Sequence, residues 1–273
     1  MVITKKSKIF GASKAKHFGG YDIVGNIAVF KFDWNEKARE KKKKAEKFLK
    51  EHKGVRTVLE KVEKFKGRLR VPKTKYIAGE KTKEVLYKEN DCVFRFNVDS
   101  CYFSPRLSSE RKEIADKVKR GENVLVMFGG VAPFAVVIAK KGRAGRVVSV
   151  ELGRECNKYA RENVKRNKLG GKVEVIQGDV RKKVPLLKKK FDRIVMARPN
   201  LKDSFLDVAF PRVKKRGAIH YYGFYREEDK AELRELILSE AKKARKKVKI
   251  LKVKKAGNIA PYAYRYRVDL KVL

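Results

Sequence analysis

The chain has few cysteines and no long apolar segment, and both absences exclude classes of protein. Its three cysteines, Cys92, Cys101 and Cys156, are odd in number and show no CxxC spacing, so they predict neither a disulfide framework nor a zinc site. No apolar run approaches the roughly 20 residues of a membrane span, and the first twenty residues lack the apolar core of a signal peptide. We expect a cytoplasmic protein without a structural metal.

Acidic residues are scarce relative to basic ones. The chain holds 72 Lys and Arg against 32 Asp and Glu, a formal net charge of +40. Such an excess destabilises a compact fold by self-repulsion unless a polyanion offsets it, and phosphate neutralisation uses this kind of surface. We therefore predict a nucleic-acid partner. A solubilising surface or a lysine-rich composition is the open alternative, and a membrane surface is a weaker one because no long amphipathic helix is evident.

The first third of the chain predicts a flexible arm and a small domain. Residues 1–20 are basic and aperiodic and contain Gly and Ser, which favours a flexible arm. Residues 21–33 predict two strands around a Gly-Asn turn, and residues 34–52 have the Lys, Glu and Ala content of a helix. Short strands with alternating polarity follow. We interpret residues 21–98 as a small α+β domain.

Residues 99–273 alternate between strand and helix patterns, which is typical of an α/β fold with a mostly parallel sheet and helices on both faces. We expect a seventh strand, after the last helix, to run antiparallel. The expected strands are 123–128, 146–152, 172–177, 191–196, 218–225, 247–254 and 263–272. The expected helices are 108–119, 131–140, 155–167, 201–214 and 228–244.

A glycine-rich turn follows the first of these strands. Gly129 and Gly130 come directly after it, Glu151 closes the next strand, and Asp179 follows the third. This order is typical of a nucleoside cofactor site, in which one carboxylate accepts the ribose hydroxyls and a second acid lies near the adenine edge. Ordinary turns of an unliganded fold are the open alternative. The turn is not GxGxxG, which disfavours NAD, and the absence of a Walker lysine motif disfavours ATP.

Six segments of the chain carry a resemblance to a known family. In order they are DIVGNIAVF, YKEND, YFSPRLSSERKEIADKV, VLVMFGGVAPF, DRIVMARP and GAIHYY. Over residues 20–273 the chain resembles the archaeal/eukaryal-type tRNA (guanine-37-N1)-methyltransferase family and its wybutosine-pathway relatives. The resemblance implies a class I S-adenosylmethionine (SAM) methyltransferase domain with a Rossmann-like sheet at 99–273, preceded by a small RNA-facing domain at 21–98. It implies SAM as the cofactor and the anticodon stem-loop of tRNA as the partner.

Many members of that family carry a further N-terminal domain that grips the tRNA elbow, and from its length we expect this chain to lack one. We expect a monomer, because no exposed apolar stripe is evident in the sequence.

The same resemblance assigns roles to single residues. Methylation of guanine at N1 removes the N1 proton while O6 gathers negative charge, so it calls for a carboxylate at N1 and a cation or donor at O6. By resemblance Glu110 is the general base, Arg106 and Arg111 position it and the substrate, and Arg70 faces the target base. The implied cofactor contacts are Phe128, Gly129, Gly130, Ala132, Pro133, Phe134, Glu151, Asp179, Val180, Ala197 and Pro199. The implied RNA contacts are Arg198, Asn200, Tyr102 and Tyr222. The open alternative for Glu110 is an acid that stabilises the first turn of a helix through the helix dipole.

Two positions depart from the family pattern. Val126 stands where the family has an acidic residue before its Met-Phe pair, and Ala197-Arg198-Pro199 replaces Asn-Leu-Pro. Arg198 brings a charge that could reach O6 or a phosphate. We predict a SAM-dependent tRNA methyltransferase acting on N1 of guanosine 37. The alternatives are an aminocarboxypropyl transferase of the wybutosine pathway and a non-catalytic tRNA-binding protein.

Overall fold

A computed structural model of the chain describes residues 20–66, 71–198 and 203–273. The predicted arm, apart from Gly20, lies outside the described residues, as do the predicted site residues Arg70, Pro199 and Asn200. Within the described ranges no helix is both long enough and apolar enough to cross a membrane.

The N-terminal unit is a four-stranded sheet with one helix. Its strands are β1 (Gly20–Val24), β2 (Ile27–Lys31), β3 (Thr57–Lys66) and β4 (Val71–Gly79), in that order across the sheet, and α1 (Ala38–Glu51) connects β2 to β3. Strands β2 and β3 are parallel and the other two pairs antiparallel. Phe30 and Phe48 fill the interface between helix and sheet, with their ring centroids 5.0 Å apart. The predicted strand pair and helix are confirmed, with the helix starting at Ala38.

The C-terminal unit is a seven-stranded sheet. Its strands are β7 (Asn123–Met127), β8 (Arg146–Glu151), β9 (Val173–Gln177), β10 (Phe191–Met196), β11 (Val213–Arg226), β12 (Val248–Ala260) and β13 (Ala263–Val272). Their order is β12-β13-β11-β10-β7-β8-β9, and β13 alone among these strands runs antiparallel to both neighbours. The helices are α2 (Ser108–Asp116), α3 (Pro133–Lys141), α4 (Arg154–Arg166), α5 (Val180–Lys183), α6 (Leu206–Ala209) and α7 (Lys230–Lys243). The predicted α/β class and the antiparallel strand after the last helix are confirmed.

Both faces of this sheet are covered by apolar side chains. Along β7, Val124 and Val126 pack into one core cluster, whereas Leu125 and Met127 pack into the other. Because successive strand residues point to opposite faces, a strand covered on both sides has a continuous apolar run. This is why the sequence VLVM is apolar at every position.

A β-hairpin joins the two units. Strands β5 (Glu84–Glu89) and β6 (Cys92–Asn97) are connected by Asn90 and Asp91, both with positive φ, as a two-residue type I′ turn requires. On one side, Asn26 accepts a hydrogen bond from the Leu86 amide at 2.7 Å.

On the other side of the hairpin, two asparagines of α4 bond its backbone. Asn163 and Asn167 each donate to and accept from the backbone of one β6 residue, Arg95 and Val93 respectively. These amides complete a strand edge that would otherwise lack partners. The predicted boundary between the small domain and the methyltransferase domain, at residue 98, stays a prediction.

The predicted helix at 201–214 is wrong over most of its length. The described part of that segment has a single turn, α6, followed by a 3₁₀ turn at Phe210–Arg212, and β11 already begins at Val213. Phe205, just before α6, has a φ of 59°, which is outside the right-handed helical region. Pro211 has no N–H to continue a helix. The apolar spacing that suggested a helix instead seats Leu206 and Phe210 in the core.

Candidate cofactor and substrate pocket

The glycine turn reverses the chain directly after β7. Phe128, Gly130 and Ala132 have φ values of 62°, 55° and 65°, and a left-handed backbone costs about 1–2 kcal/mol at each non-glycine residue. Gly129 has no room for a side chain, because a Cβ there would lie 2.1 Å from Ser149 Oγ. Strain of this kind persists where the surrounding structure enforces it, which is common at ligand sites.

The turn places backbone amides against Glu151 at the end of β8. One carboxylate oxygen accepts the Gly130 amide at 2.8 Å and the other accepts the Gly153 amide at 2.7 Å. Burial raises the pKa of Glu151. Each carboxylate oxygen has two lone pairs, so Glu151 keeps acceptor capacity for two further donors such as ribose hydroxyls.

Asp179 stands at the end of the next strand, where it begins α5. Its side chain accepts a hydrogen bond from the Arg181 amide at 2.9 Å, as an N-cap does. Glu151 and Asp179 line the same pocket. Both carboxylates therefore face the same pocket, and this pair of hydrogen-bond acceptors fits the cofactor that the sequence predicts.

Aromatic and apolar side chains form the walls of this pocket. Nine of the implied cofactor residues line it: Phe128, Gly129, Gly130, Pro133, Phe134, Glu151, Asp179, Val180 and Ala197. Ala132 is fully buried beside the turn and precedes α3. The lining residues that the sequence did not predict include Leu107, Leu152, Phe205, Phe224 and Arg265. The structure thus brings together the residues predicted around the glycine turn.

Glu110 lies behind the pocket wall. It is 5% exposed and is absent from the lining residues. Its carboxylate accepts hydrogen bonds from Arg267 Nη1 at 2.6 Å and from the Tyr222 hydroxyl at 3.2 Å, and it forms an ion pair with Lys254 Nζ at 2.7 Å. Tyr222 does line the pocket. Glu110 is therefore one hydrogen bond away from the pocket, through Tyr222.

Arg267 is the centre of a buried charge cluster behind Glu110. Its guanidinium is inaccessible to solvent and pairs with three carboxylates, those of Glu110, Glu113 and Asp269. The Arg267 hydrogen bond lowers the pKa of Glu113 to about 2. His220 Nδ1 lies 2.7 Å from Asp269 Oδ1, and burial lowers the pKa of this imidazole. A buried charge is tolerated when it is paired and hydrogen-bonded, and each charge here has such partners.

The two arginines beside Glu110 in sequence have other partners. Arg111 is buried and donates to Glu89 Oε2 at 2.6 Å and to the Ser104 carbonyl at 3.0 Å, with its guanidinium carbon 5.0 Å from the Phe103 ring centroid. It therefore fixes the hairpin to the pocket wall. Arg106 is exposed and pairs with Asp22 of β1 at 2.7 Å.

Neither the Arg106 nor the Arg111 guanidinium bonds Glu110 in the described structure. Arg267, Lys254 and Tyr222 hold its carboxylate instead.

The predicted RNA contacts fall at different depths. Tyr102 is half-buried in the pocket wall, whereas Tyr222 and Arg198 are almost fully buried. Arg198 donates to the Asp203 carbonyl at 2.6 Å and to the Tyr221 hydroxyl at 3.2 Å. Its guanidinium therefore links the end of β10 to Asp203 and to Tyr221 of β11.

Val126 does not take part in the pocket. It is fully buried in an apolar cluster that also contains Val195, its partner on β10, and it is absent from the lining residues. The other departure, Ala197, does line the pocket.

The fold and the pocket define the class of protein: a Rossmann-like α/β domain whose glycine turn and two strand-end acids form a nucleoside cofactor site. The TRM5/TYW2 methyltransferase domain family matches residues 85–251, and the TYW2 N-terminal domain matches residues 12–82. The chain belongs to the TRM5/TYW2 methyltransferase family, and the resemblance predicted from sequence is confirmed.

Individual relatives are similar over most of the chain. It is 35% identical over 257 residues to the tRNA (guanine(37)-N(1))-methyltransferase Trm5b of Pyrococcus abyssi, covering 92% of this chain and 74% of the relative. It is 33% identical to the tRNA (guanine(37)-N(1))/4-demethylwyosine(37)-methyltransferase Taw22 of Nanoarchaeum equitans, covering 93% of this chain and 99% of that protein. The crystal structure of wild-type Trm5b from Pyrococcus abyssi superposes with a TM-score of 0.82 at 34% identity, over 96% of this chain and 78% of that one.

Proposed function

We propose that the chain is a SAM-dependent tRNA methyltransferase that acts on N1 of guanosine 37 in the anticodon loop. One observation carries the proposal. Two carboxylates, Glu151 and Asp179, line the cofactor side of one pocket. Tyr222 lines the same pocket and is hydrogen-bonded to the buried carboxylate of Glu110. Membership of the family and the names of the relatives support the same activity.

The residues around the glycine turn would hold the cofactor. When bound, SAM supplies an electrophilic methyl group on a sulfonium centre. Glu151 would accept hydrogen bonds from the ribose hydroxyls with the lone pairs that the two backbone amides leave, and Asp179 would accept one from the adenine edge. Phe128, Phe134 and Val180 supply apolar contacts in the same pocket.

Glu110 receives the proton that N1 loses. Because Tyr222 stands between the pocket and Glu110, the proton moves in two linked transfers. The N1–H bond breaks as the Tyr222 oxygen gains that proton, and the Tyr222 O–H bond breaks as Glu110 gains the second proton. Burial raises the pKa of Tyr222 well above its usual value, which disfavours a free phenolate between the two transfers. N1 is then free to accept the methyl group.

Arg267 and Lys254 hold the Glu110 carboxylate for this transfer. Both contact it directly, and Arg267 is fixed by Asp269 on its other side. The roles of Arg106, Arg111 and Arg70 at the target base stay predictions of the sequence.

Transfer RNA is the macromolecular partner in this proposal. The excess of basic residues provides the phosphate contacts, and the target base leaves the anticodon-loop stack at a cost of a few kcal/mol. Contact with the anticodon stem-loop, a monomeric state and a cytoplasmic location stay predictions.

Nucleoside mass spectrometry tests the proposed activity. Purified protein is incubated with SAM and tRNA transcripts that carry either G37 or A37. We expect one methyl group on guanosine, at N1, and only in the G37 transcript. Tight RNA binding without any product on transcript or native tRNA would contradict the proposal and favour the non-catalytic alternative.

A wyosine-type base is the second candidate substrate. The observation that favours it is the match of residues 12–82 to the TYW2 N-terminal domain. Incubation with native tRNA that carries the tricyclic base separates the cases: addition of a methyl group to that base identifies a second methyl acceptor, whereas addition of an aminocarboxypropyl group identifies the other reaction class.

A further inference from the structure

One wall of the pocket is an aromatic ring held just before α6. Phe205 lines the pocket and is buried, and its ring centroid lies 4.9 Å from that of Phe128, edge to face. Phe205 has a φ of 59°, in the left-handed region that disfavours a residue with a Cβ. Such a conformation persists only where neighbouring groups enforce it, so the position of this ring depends on the contacts around it.

Asp203 holds the backbone of Phe205. Its Oδ1 accepts the Phe205 amide at 3.1 Å, and its main-chain carbonyl accepts Arg198 Nη2 at 2.6 Å. Its other carboxylate oxygen accepts Arg181 Nε at 3.1 Å. One aspartate therefore joins the strained residue to an arginine of another element, α5.

Arg181 also contacts the ring and a second carboxylate. Nη1 donates to Asp207 Oδ2 in α6 at 2.7 Å, and the guanidinium carbon lies over the Phe205 ring, 5.0 Å from its centroid. A planar guanidinium can bond carboxylates and cover an aromatic face at the same time. We call the three charged residues Arg181, Asp203 and Asp207 the latch, because they link α5 to α6 across the ring.

The latch is exposed, although the ring that it holds is buried. The side chains of Arg181, Asp203 and Asp207 are 43%, 41% and 50% exposed. Ion pairs between exposed groups are weak and are screened by salt. A buried wall with a weak, exposed fastening opens locally at a lower free energy than the core around it, and ligand-binding segments are drawn from such regions.

We propose that Arg181 is a positioning residue for the cofactor: the latch holds Phe205 against the nucleoside side of the pocket, and its release sets the rate at which SAM enters and leaves. Asp179 and Val180, which line the pocket, directly precede Arg181 in the chain. The latch therefore connects the acid at the adenine edge to the aromatic wall. This inference rests on the cofactor part of the proposed function and is independent of the target base.

The test measures dissociation of radiolabelled SAM during a chase with unlabelled SAM, and SAM affinity by calorimetry. The proteins are the wild type, Arg181→Met, Asp207→Asn, Phe205→Leu and the double variant of Arg181→Met with Phe205→Leu. The matched control is Arg146→Met, because Arg146 forms an ion pair of similar exposure with Glu174 at 2.7 Å and lies outside the pocket lining. Hydrogen exchange of the Phe205 amide is followed in the ligand-free proteins, since its acceptor belongs to the latch.

We expect Arg181→Met to raise the SAM dissociation rate constant about tenfold, because it removes two exposed ion pairs, and Asp207→Asn to raise it less. Exchange of the Phe205 amide accelerates in parallel. High salt accelerates SAM dissociation more in the wild type than in Arg181→Met, since only the wild type has the screened pairs. Phe205→Leu also accelerates dissociation, and addition of Arg181→Met to it changes the rate by less than about twofold, because the latch acts through the ring. The control behaves like the wild type.

Three results would overturn the inference. An unchanged dissociation rate in Arg181→Met, or an equal rise in the control, would mean that the ion pairs only stabilise the surface. Multiplicative effects of Arg181→Met and Phe205→Leu would mean that the arginine does not act through the ring. If Arg181→Met does not fold, Asp207→Asn decides: a dissociation rate identical to that of the wild type at low and at high salt would overturn the inference.

Failure of the proposed function gives a different result. A wild type that binds SAM and leaves G37 unmethylated would reject the proposed methyl acceptor, while the latch would still be judged by the dissociation rates. A wild type that does not bind SAM would reject both.

Discussion

Two carboxylates serve the pocket, and the protein holds them in different ways. Glu151 is held by backbone amides of Gly130 and Gly153. Glu110 is held by side chains, those of Arg267, Lys254 and Tyr222. Neutral amides leave Glu151 without a compensating full charge, and burial raises its pKa. Glu110 has two cations around it and is isolated from solvent.

The difference matches two kinds of work. A carboxylate fixed by backbone groups keeps its position whatever its protonation state, and its spare lone pairs suit a ligand with hydroxyl donors. A carboxylate bonded to a hydroxyl that lines the pocket is connected to the substrate side through that hydroxyl, which suits the proposed role of Glu110 as proton acceptor. Three predictions test this division and a fourth tests the charge cluster behind Glu110, from the largest expected effect to the smallest.

The largest effect is expected for Glu110→Gln, which keeps the shape of the side chain and removes the proton acceptor. We expect methyl transfer to fall by about 10²- to 10⁴-fold, the range for a positioned general base. SAM affinity stays unchanged because Glu110 does not line the pocket. Single-turnover rates and calorimetric titration with SAM measure the two quantities.

Thermal unfolding provides the control for Glu110→Gln. Removal of one member of a buried ion pair costs about 3–5 kcal/mol, so the assay temperature must lie below the midpoint of the variant. Wild-type turnover in a folded Glu110→Gln protein would exclude Glu110 from the chemistry.

Tyr222→Phe tests the route between the pocket and Glu110. Loss of the hydroxyl interrupts the hydrogen bond to Glu110, and we expect the transfer rate to fall by at least about tenfold, toward the range for lost acid–base catalysis. The matched control is Tyr266→Phe on β13: Tyr266 is buried, and its hydroxyl has no hydrogen-bond partner among the described residues. If both variants kept the wild-type rate, Glu110 would contact the base without Tyr222.

Glu151→Gln is expected to act on binding alone. An amide has one acceptor oxygen where the carboxylate has two, so it cannot satisfy both glycine amides and the ribose hydroxyls. We expect the SAM dissociation constant to rise about 10- to 100-fold, the equivalent of one hydrogen bond to a charged group. At saturating SAM the transfer rate should return to near the wild-type value. A rate defect that saturation does not relieve would contradict the division.

The smallest effect concerns stability at low pH. The pKa of Glu113 is lowered to about 2 from an ordinary value of 4.5, so its contribution to stability is present above pH 4.5 and is lost as the pH falls toward 2. Because the side chain is partly exposed, we expect only about 1 kcal/mol after solvent screening. Denaturant unfolding of the wild type and Glu113→Gln between pH 7 and 3 measures this contribution. Identical slopes of unfolding free energy against pH in the two proteins would contradict the assignment.

The cofactor side of the pocket could be predicted because its signals are local. The strand, the two glycines and Glu151 lie within one βαβ unit, and its geometry brings them together wherever that unit folds. The helix at 201–214 could not be excluded in the same way, because one apolar spacing fits both a helix and the short turn that Pro211 ends.

The partners of Glu110 could not be predicted from spacing. Arg267 is 157 positions further along the chain, and only the register of β11 and β13 brings it to α2. A signal was present: Arg265, Arg267 and Asp269 alternate with buried apolar residues in the last strand. Charged residues on one face of an otherwise buried strand indicate a buried polar cluster, but its partners depend on sheet order.

The most direct test of the division between the two carboxylates measures N1-methylguanosine by mass spectrometry in one experiment. Glu110→Gln and Glu151→Gln react side by side with G37 tRNA at a limiting and at a saturating SAM concentration. We predict that saturation restores product in Glu151→Gln and does not restore it in Glu110→Gln. Equal recovery of the two variants, or product from Glu110→Gln at the wild-type rate, would contradict the account.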